Sequence, residues 1–400
     1  MQNSYFSYLL FAFSYICQHI GFAFIATTLV VILRQQGASL MELGYLKLII
    51  VPYSLRFLWA PLVEYLGFSD KGHFRQWLLP IQFCIALSWL FISFVQPMTQ
   101  LPLLFGLLLI SVILIGTQDL ALDGLACSAF EEKARLTINT IQIASGMMGN
   151  LIGGGLVILY PHLGWQNSLL ILAGFSLLPC LLVWNYQEKV SPLPQSTKMM
   201  QSWKILFTFW QGKWQWFLML AFYSLGFSGG FAILSPALVD RGWTLSEIGL
   251  LMNYGVIIGL IAVVIIIPIN RRLSRQVSSR LFTFVQLISL FALLPLASGN
   301  PSPFWAYIAV TACYLSFAPM FTTNSSTMMD IASKQTTPTI TYTVQIAVAM
   351  LFSVLAKVFC LQLAENFGYV SVVIVCIIST LVTLLFISST ITKMIKKPEF

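Results

Sequence analysis

Charge is what this chain has least of. Only 8% of its 400 residues are Asp, Glu, Lys or Arg, and 13 are acidic, whereas a soluble domain carries roughly a quarter. A water-solvated globule is therefore excluded. Residues 1–33 contain no Lys or Arg, so the basic n-region of a cleavable signal is missing and the first apolar run is expected to be retained. Seven cysteines stand singly with no C-x-x-C spacing, which leaves neither a zinc frame nor a disulfide framework and makes them small core residues. His19, His73 and His162 lie far apart with no carboxylate motif beside them. An intramembrane acyl or glycosyl transferase needs a clustered nucleophile, base or metal; no enzyme, cofactor or metal is expected.

What fills the chain instead is hydrocarbon, with 58% hydrophobic residues and a mean hydropathy of +0.86. Apolar runs of about 20 residues recur end to end, the length of a membrane-crossing helix rather than of a barrel strand. The pattern predicts an all-α membrane protein with spans at 8–33, 40–65, 77–96, 102–127, 137–160, 168–186, 214–239, 245–269, 280–298, 303–329, 338–364 and 369–391. The net charge of +8 belongs to short loops and reads as topology, not as a nucleic-acid surface. Sixteen Lys and Arg fall in loops on the side of the termini and two, Arg34 and Arg241, on the other. Both termini are expected in the cytoplasm.

The longest polar interval, 187–213, carries Pro192, Pro194 and four lysines and reads as a cytoplasmic linker. It divides the chain into six-helix bundles at 1–186 and 214–400. Self-comparison supports the division. Gly37–Gly44 is echoed by Gly242–Gly249, each with an S/T-x-x-E capping box, and Thr140–Ala144 by Thr343–Ala347, at nearly one offset. Twelve helices in two parallel six-helix pseudo-repeats make the major facilitator fold, in which a solute sits between halves that rock around it.

Chemistry concentrates in Gly116–Gly124, where Asp119 and Asp123 interrupt an apolar run. At i and i+4 they sit about 40° apart on one helical face. Carboxylates so placed raise one another's proton affinity, as a proton-coupling pair requires; a purely structural ion pair is the competing reading. Arg56 lies at the depth of Asp119 and is its expected partner, or else reads an anionic ligand. Lys47 and Lys357 also match in depth and would make a cationic outer mouth, unless they snorkel to headgroups. His19, Trp59, Gln142 and Gln345 are further substrate-binding candidates, the two glutamines because they recur in both halves; packing hydrogen bonds are the alternative. Gly146, Gly149, Gly153, Gly154 and Gly155 read as a close helix approach.

At Arg56–Pro61 and Thr117–Gly124, and again at Phe74–Leu79, Gly146–Met148, Gly153–Gly155 and Leu163–Trp165, the chain resembles the AmpG-like branch of the major facilitator superfamily. That branch includes muropeptide permeases, acetyl-CoA transporters and RhtX/FptX-type siderophore permeases. Pro236–Gly242 leading into Leu245–Leu251 looks most like the siderophore permeases. The resemblance implies a gating salt bridge after the second span, at Glu64; Arg75 and Asp330 are further gating candidates, with simple solvation near the interface the competing reading for Asp330. Two features depart from it: Glu64 is followed by Tyr65 rather than a basic residue, and Tyr223–Gly229 lacks the Lys and Asp that relatives carry. The second departure leaves the fourth span as the better coupling site.

The expectation is a monomeric inner-membrane importer of an anionic solute, a ferric siderophore foremost, driven by proton symport. A muropeptide permease and a small-molecule exporter are the alternatives. Its partners would be the solute, protons and the lipid bilayer.

Overall fold

A computed structural model describes residues 4–36, 49, 51–66, 72–188, 199–243, 245–299 and 302–396. These are helical from end to end, with no strand among the described residues. The order is α1 (Ser4–Ala23), a π-helical turn at Phe24–Thr28, α2 (Leu29–Gln35), α3 (Val51–Ser54), a 3₁₀ turn at Arg56–Leu58, α4 (Ala60–Tyr65), α5 (His73–Ser93), α6 (Leu101–Ala129) and α7 (Glu132–Asn185). Then follow α8 (Met199–Thr208), α9 (Trp214–Val239), α10 (Leu245–Arg272), α11 (Arg275–Ala297), α12 (Pro303–Ala332) and α13 (Pro338–Lys396).

Two of these are hairpins. α7 turns at Gly164 (φ 69°) and α13 at Gly368 (φ 78°), left-handed conformations that a Cβ would strain. Nine described stretches are long and apolar enough to cross a bilayer, each lacking a backbone hydrogen-bond partner other than its own ladder, which is why the spans are helices. The chain is a multi-pass membrane protein. Of the remaining predicted spans, the second begins outside the described residues, as does its capping-box echo Gly37–Gly44. Prolines inside α5, α7, α9, α10, α11 and α12 are tolerated because packed neighbours satisfy the freed carbonyls.

The described chain forms two compact units. Unit 1 comprises residues 1–131, 141–206 and 336–343; unit 2 comprises 132–140, 207–335 and 344–400. Each therefore includes one short segment from the other half of the sequence. Unit 1 packs α1, α5, α6 and α7 around Ile20, Phe24, Ile85, Trp89, Leu108 and Ile115. Glycine is the means of approach: Gly149 and Gly153 face the backbone of α1 at Ile16 and Ile20, with no room for a Cβ, and Thr28 Oγ1 donates to Gly153 O at 2.8 Å. The predicted glycine contact is realised there, while Gly154 and Gly155 face open space. Unit 2 packs α9, α11, α12 and α13 around Leu234, Leu290, Leu293, Val310, Cys360 and Cys376.

The duplication leaves a structural mark. Ser111 of α6 donates to Ser88 of α5 at 2.9 Å, and Ser316 of α12 donates to Ser289 of α11 at 3.2 Å. Registering Ser111 on Ser316 puts Asn324 where Asp119 stands, eight residues further along each helix.

Candidate functional site

The site in unit 1 begins with a break in a helix. Pro61 lacks an N–H and its ring crowds the carbonyl of Phe57, so an α ladder cannot run through the second span. The chain tightens instead: Leu58 N–H donates to Leu55 O at 2.9 Å, Trp59 N–H to Arg56 O at 3.1 Å and Leu62 N–H to Trp59 O at 3.0 Å. Across from this turn α6 presents Gly116, whose missing side chain leaves Trp59, Arg56 and Tyr53 within 3.4–3.6 Å of where a Cβ would sit. The second span can thus lay its arginine flat along α6.

Arg56 Nη2 lies 2.8 Å from Asp119 Oδ2 and 4.0 Å from Asp123 Oδ2. All three are buried, at 5%, 0% and 1% exposure respectively. The guanidinium also sits 4.2 Å from the centroid of the Tyr53 ring, a cation–π contact in dry surroundings. Asp119 is well supplied with donors: Tyr53 Oη gives to Oδ2 at 2.9 Å and Gln18 Nε2 to Oδ1 at 3.1 Å. Asp123 receives only the Tyr15 hydroxyl, at 3.3 Å to Oδ1. Its Oδ2 accepts no hydrogen bond among the described residues, and Arg56 Nε and Gln18 Oε1 are likewise without one.

Two carboxylates share one guanidinium here. The closer and better-bonded charge pair is Asp119 with Arg56, and Asp123 is the surplus acid. A buried ion without its own counter-charge is costly, and Asp123 is the acid of the two that lacks one of its own.

The other predicted residues are placed variously. Trp59 Nε1 donates to Thr117 Oγ1 at 3.1 Å. His19 is half-buried, its Nδ1 2.9 Å from Tyr15 O and its ring against Gly146. Gln142 is half-buried on α7. Gln345 belongs to unit 2, where it accepts from Trp216 Nε1 at 2.8 Å and donates to Met328 O at 3.2 Å, so its amide is occupied in packing. Lys357 is exposed on α13, and Lys47 lies outside the described residues.

The three gating candidates each hold a helix end. Glu64 is buried in unit 1 and accepts from Thr339 N–H at 2.8 Å, the favourable position for a carboxylate at the N-terminus of α13. Arg75 Nε and Nη2 donate to Val183 O at 3.1 Å and Trp184 O at 2.6 Å. In unit 2 Asp330 accepts from Arg135 Nε at 2.8 Å and Arg275 Nε at 2.7 Å. Tyr15, Gln18, Tyr53, Arg135, Arg275 and Glu188 were not singled out by the sequence. Tyr15 and Gln18 stand three apart on α1, and Tyr53 three before Arg56, so helical spacing from the charges is the signal that could have found them.

A polytopic helical bundle with a buried, desolvated charge centre is the build of a membrane transporter. The Major Facilitator Superfamily model matches residues 11–348, and the chain belongs to that family. Relatives described as AmpG-type transporters are among those it is similar to. The Escherichia coli K12 anhydromuropeptide permease is 26% identical over 149 residues, 37% of this chain and 30% of that protein. A Rickettsia conorii protein described as putative transporter AmpG 4 is 24% identical over 255 residues, 59% of this chain and 61% of that protein. The matched stretches thus span about a third to three fifths of these relatives' lengths. Among solved structures, the E. coli fucose:proton symporter superposes with a TM-score of 0.74 over 97% of this chain and 99% of that one at 13% identity. The human organic anion transporter MFSD10 gives 0.72 over 96% and 99% at 14%. At these identities the likeness is one of fold.

Proposed function

We propose that the protein is an inner-membrane importer, with cytoplasmic termini, that carries an anionic muropeptide-like solute by proton symport, Asp123 being the residue that takes the proton. The observation that carries the coupling is the unequal treatment of two neighbouring acids. Asp119 has a guanidinium and two hydrogen-bond donors, whereas Asp123 has one hydroxyl and an unpartnered oxygen. The sequence pointed first to Asp119 as the acid to mutate; the contacts favour Asp123. Arg56 would answer the charge of the solute through its unpartnered Nε. For the solute, the similarity to a protein described as an anhydromuropeptide permease favours the muropeptide reading, and the ferric-siderophore reading gives way to it.

Rocking of the halves 1–186 and 214–400 would require the contacts of Glu64 with Thr339 and of Asp330 with Arg135 to part and re-form, and these are the proposed gate. The test is uptake into proteoliposomes under an imposed inward proton gradient, with an anhydromuropeptide and a ferric siderophore as parallel solutes. Accumulation of the first, lost in Asp123→Asn, is expected. Accumulation of the siderophore alone, or gradient-driven uptake by Asp123→Asn equal to wild type, would overturn the substrate or the coupling half of the reading respectively.

A further inference from the structure

Three buried thiols lie in the core of unit 2, and the transport reading uses none of them. Cys360 and Cys376 sit on the two arms of the α13 hairpin, eight residues before and eight after Gly368. At about 1.5 Å per residue both are roughly 12 Å from the turn. Both are 0% exposed. Both sulfurs press against the bare face of Gly229 on α9, where a Cβ would overlap them. Cys376 Sγ also donates to Leu225 O at 3.6 Å. The surrounding side chains, Leu290, Leu293, Val372 and Val373 among them, are apolar.

Two facing sulfurs in hydrocarbon suit one class of ligand. Among the described residues no three Cys, His, Asp or Glu side chains come together as metal ligands, so Cys313, although buried in the same core, does not complete a third position. Zinc, which takes four ligands in structural sites, is thereby disfavoured. Thiolates select soft ions. Charge decides further: a divalent ion held by two thiolates is neutral overall, and a neutral complex avoids the cost of burying net charge. We propose that Cys360 and Cys376, whose sulfurs lie side by side against Gly229, form a two-coordinate site for a soft divalent metal ion that bridges the arms of the hairpin. Two S–H bonds break, two S–metal bonds form and two protons pass to solvent, with no change of oxidation state.

Mercuric ion is the probe. Cys84 is exposed, so the full-length protein in detergent is first treated with a membrane-impermeant maleimide to block accessible thiols, then titrated with Hg2+ against a competing monothiol. One ion per chain and a new sulfur-to-mercury charge-transfer band in the ultraviolet are expected. Cys360→Ser and Cys376→Ser should each weaken retention about 100-fold, since the second thiol acts through effective concentration. Cys313→Ala should leave it unchanged. Retention in the double serine variant, or loss in Cys313→Ala, would overturn the assignment. Wild-type protein supplies a readout independent of variant folding: after Hg2+ loading, unfolding in an alkylating agent should leave Cys360 and Cys376 jointly protected, as mass mapping reports. Alkylation of both would overturn the site.

Discussion

The two units solve the same packing problem with opposite chemistry at their centres. In the serine register Asp119 of unit 1 answers to Asn324 of unit 2, and Gly116 to Phe321. Unit 1 removes a side chain at Gly116 and lets an arginine lie along α6; unit 2 fills the matching position with a ring. That ring belongs to a ladder in which Phe227 stacks on Phe317 at 5.1 Å, Phe231 meets Tyr314 edge-on at 5.3 Å, and Phe317 lies 5.9 Å from Phe321. Asn324 meanwhile lines a small pocket with Tyr223, Thr283 and Thr323, polar side chains that need no counter-charge. The scaffold contact is thus common to both units, while the charge at this position is found in one of them. The coupling proposed above needs only that copy.

Removing the guanidinium should break this contrast most severely. Arg56→Ala leaves Asp119 and Asp123 buried without a cation, a change of about 3–5 kcal/mol in comparable cases. Thermal unfolding in detergent should show a large drop, and adding Asp119→Asn to the same chain should recover part of it. An unchanged midpoint in Arg56→Ala would mean that the charge centre does not distinguish the units.

Asp123→Asn should cost far less, under about 1 kcal/mol, because the amide oxygen still accepts from Tyr15 and the Arg56–Asp119 pair stays in place. Asp119→Asn should cost several times more, since it strands Arg56. A reversed order of stability would assign the surplus acid to Asp119 instead.

How much of this was legible beforehand follows from which forces act along the chain and which act across it. Apolar runs, the duplication and the Arg56–Asp119 pairing come from hydropathy and matched depth, both of which are properties of one helix at a time. Tyr15 and Gln18 were not, because their part in the centre depends on the rotation of α1 against α6, which Gly149 and Gly153 set through contact with α7. Gln345 shows what recurrence alone leaves open. Its recurrence with Gln142 suggested a ligand, yet its partners are Trp216 and Met328, and a duplicated packing bond recurs as faithfully as a duplicated site. Asp330 drew notice by its place at the end of α12; its two arginines, Arg135 and Arg275, are distant in sequence and left no pattern to read.

A smaller effect separates two glycines of the charged segment. A Cβ at Gly124 would overlap the Phe74 ring and Thr339 Oγ1, whereas one at Gly116 would meet Trp59 at 3.4 Å, ordinary contact. Gly124→Ala should therefore lose about 1–3 kcal/mol to overpacking, with Gly116→Ala near neutral in stability. Paired unfolding curves check the difference; equal loss would show that α6 shifts freely against its neighbours.

The ends of the units differ as their centres do. Unit 2 closes Asp330 between two arginines, while unit 1 joins α5 to the end of α7 through a reciprocal clamp on backbone groups. Glu188 Oε2 accepts from Phe74 and Arg75 N–H, each at 2.9 Å, and the Arg75 guanidinium returns to the carbonyls of Val183 and Trp184. Burial pushes the Glu188 carboxyl above its ordinary value, against the pull of those N–H donors and of Arg75. A raised folded value means that the folded chain holds the proton more tightly than the unfolded one. The contribution is thus present below the unfolded carboxyl value, about 4.3, and is lost as pH rises through the folded one. Glu188→Gln keeps an acceptor for the helix end and removes the titration, so relative to it the wild type should lose stability across the mildly acidic range, by no more than the worth of a helix cap, about 1 kcal/mol. The measurement is the difference in unfolding midpoint between the two proteins from acid to neutral pH. A flat difference would mean that the clamp binds the protonated and ionised carboxyl alike.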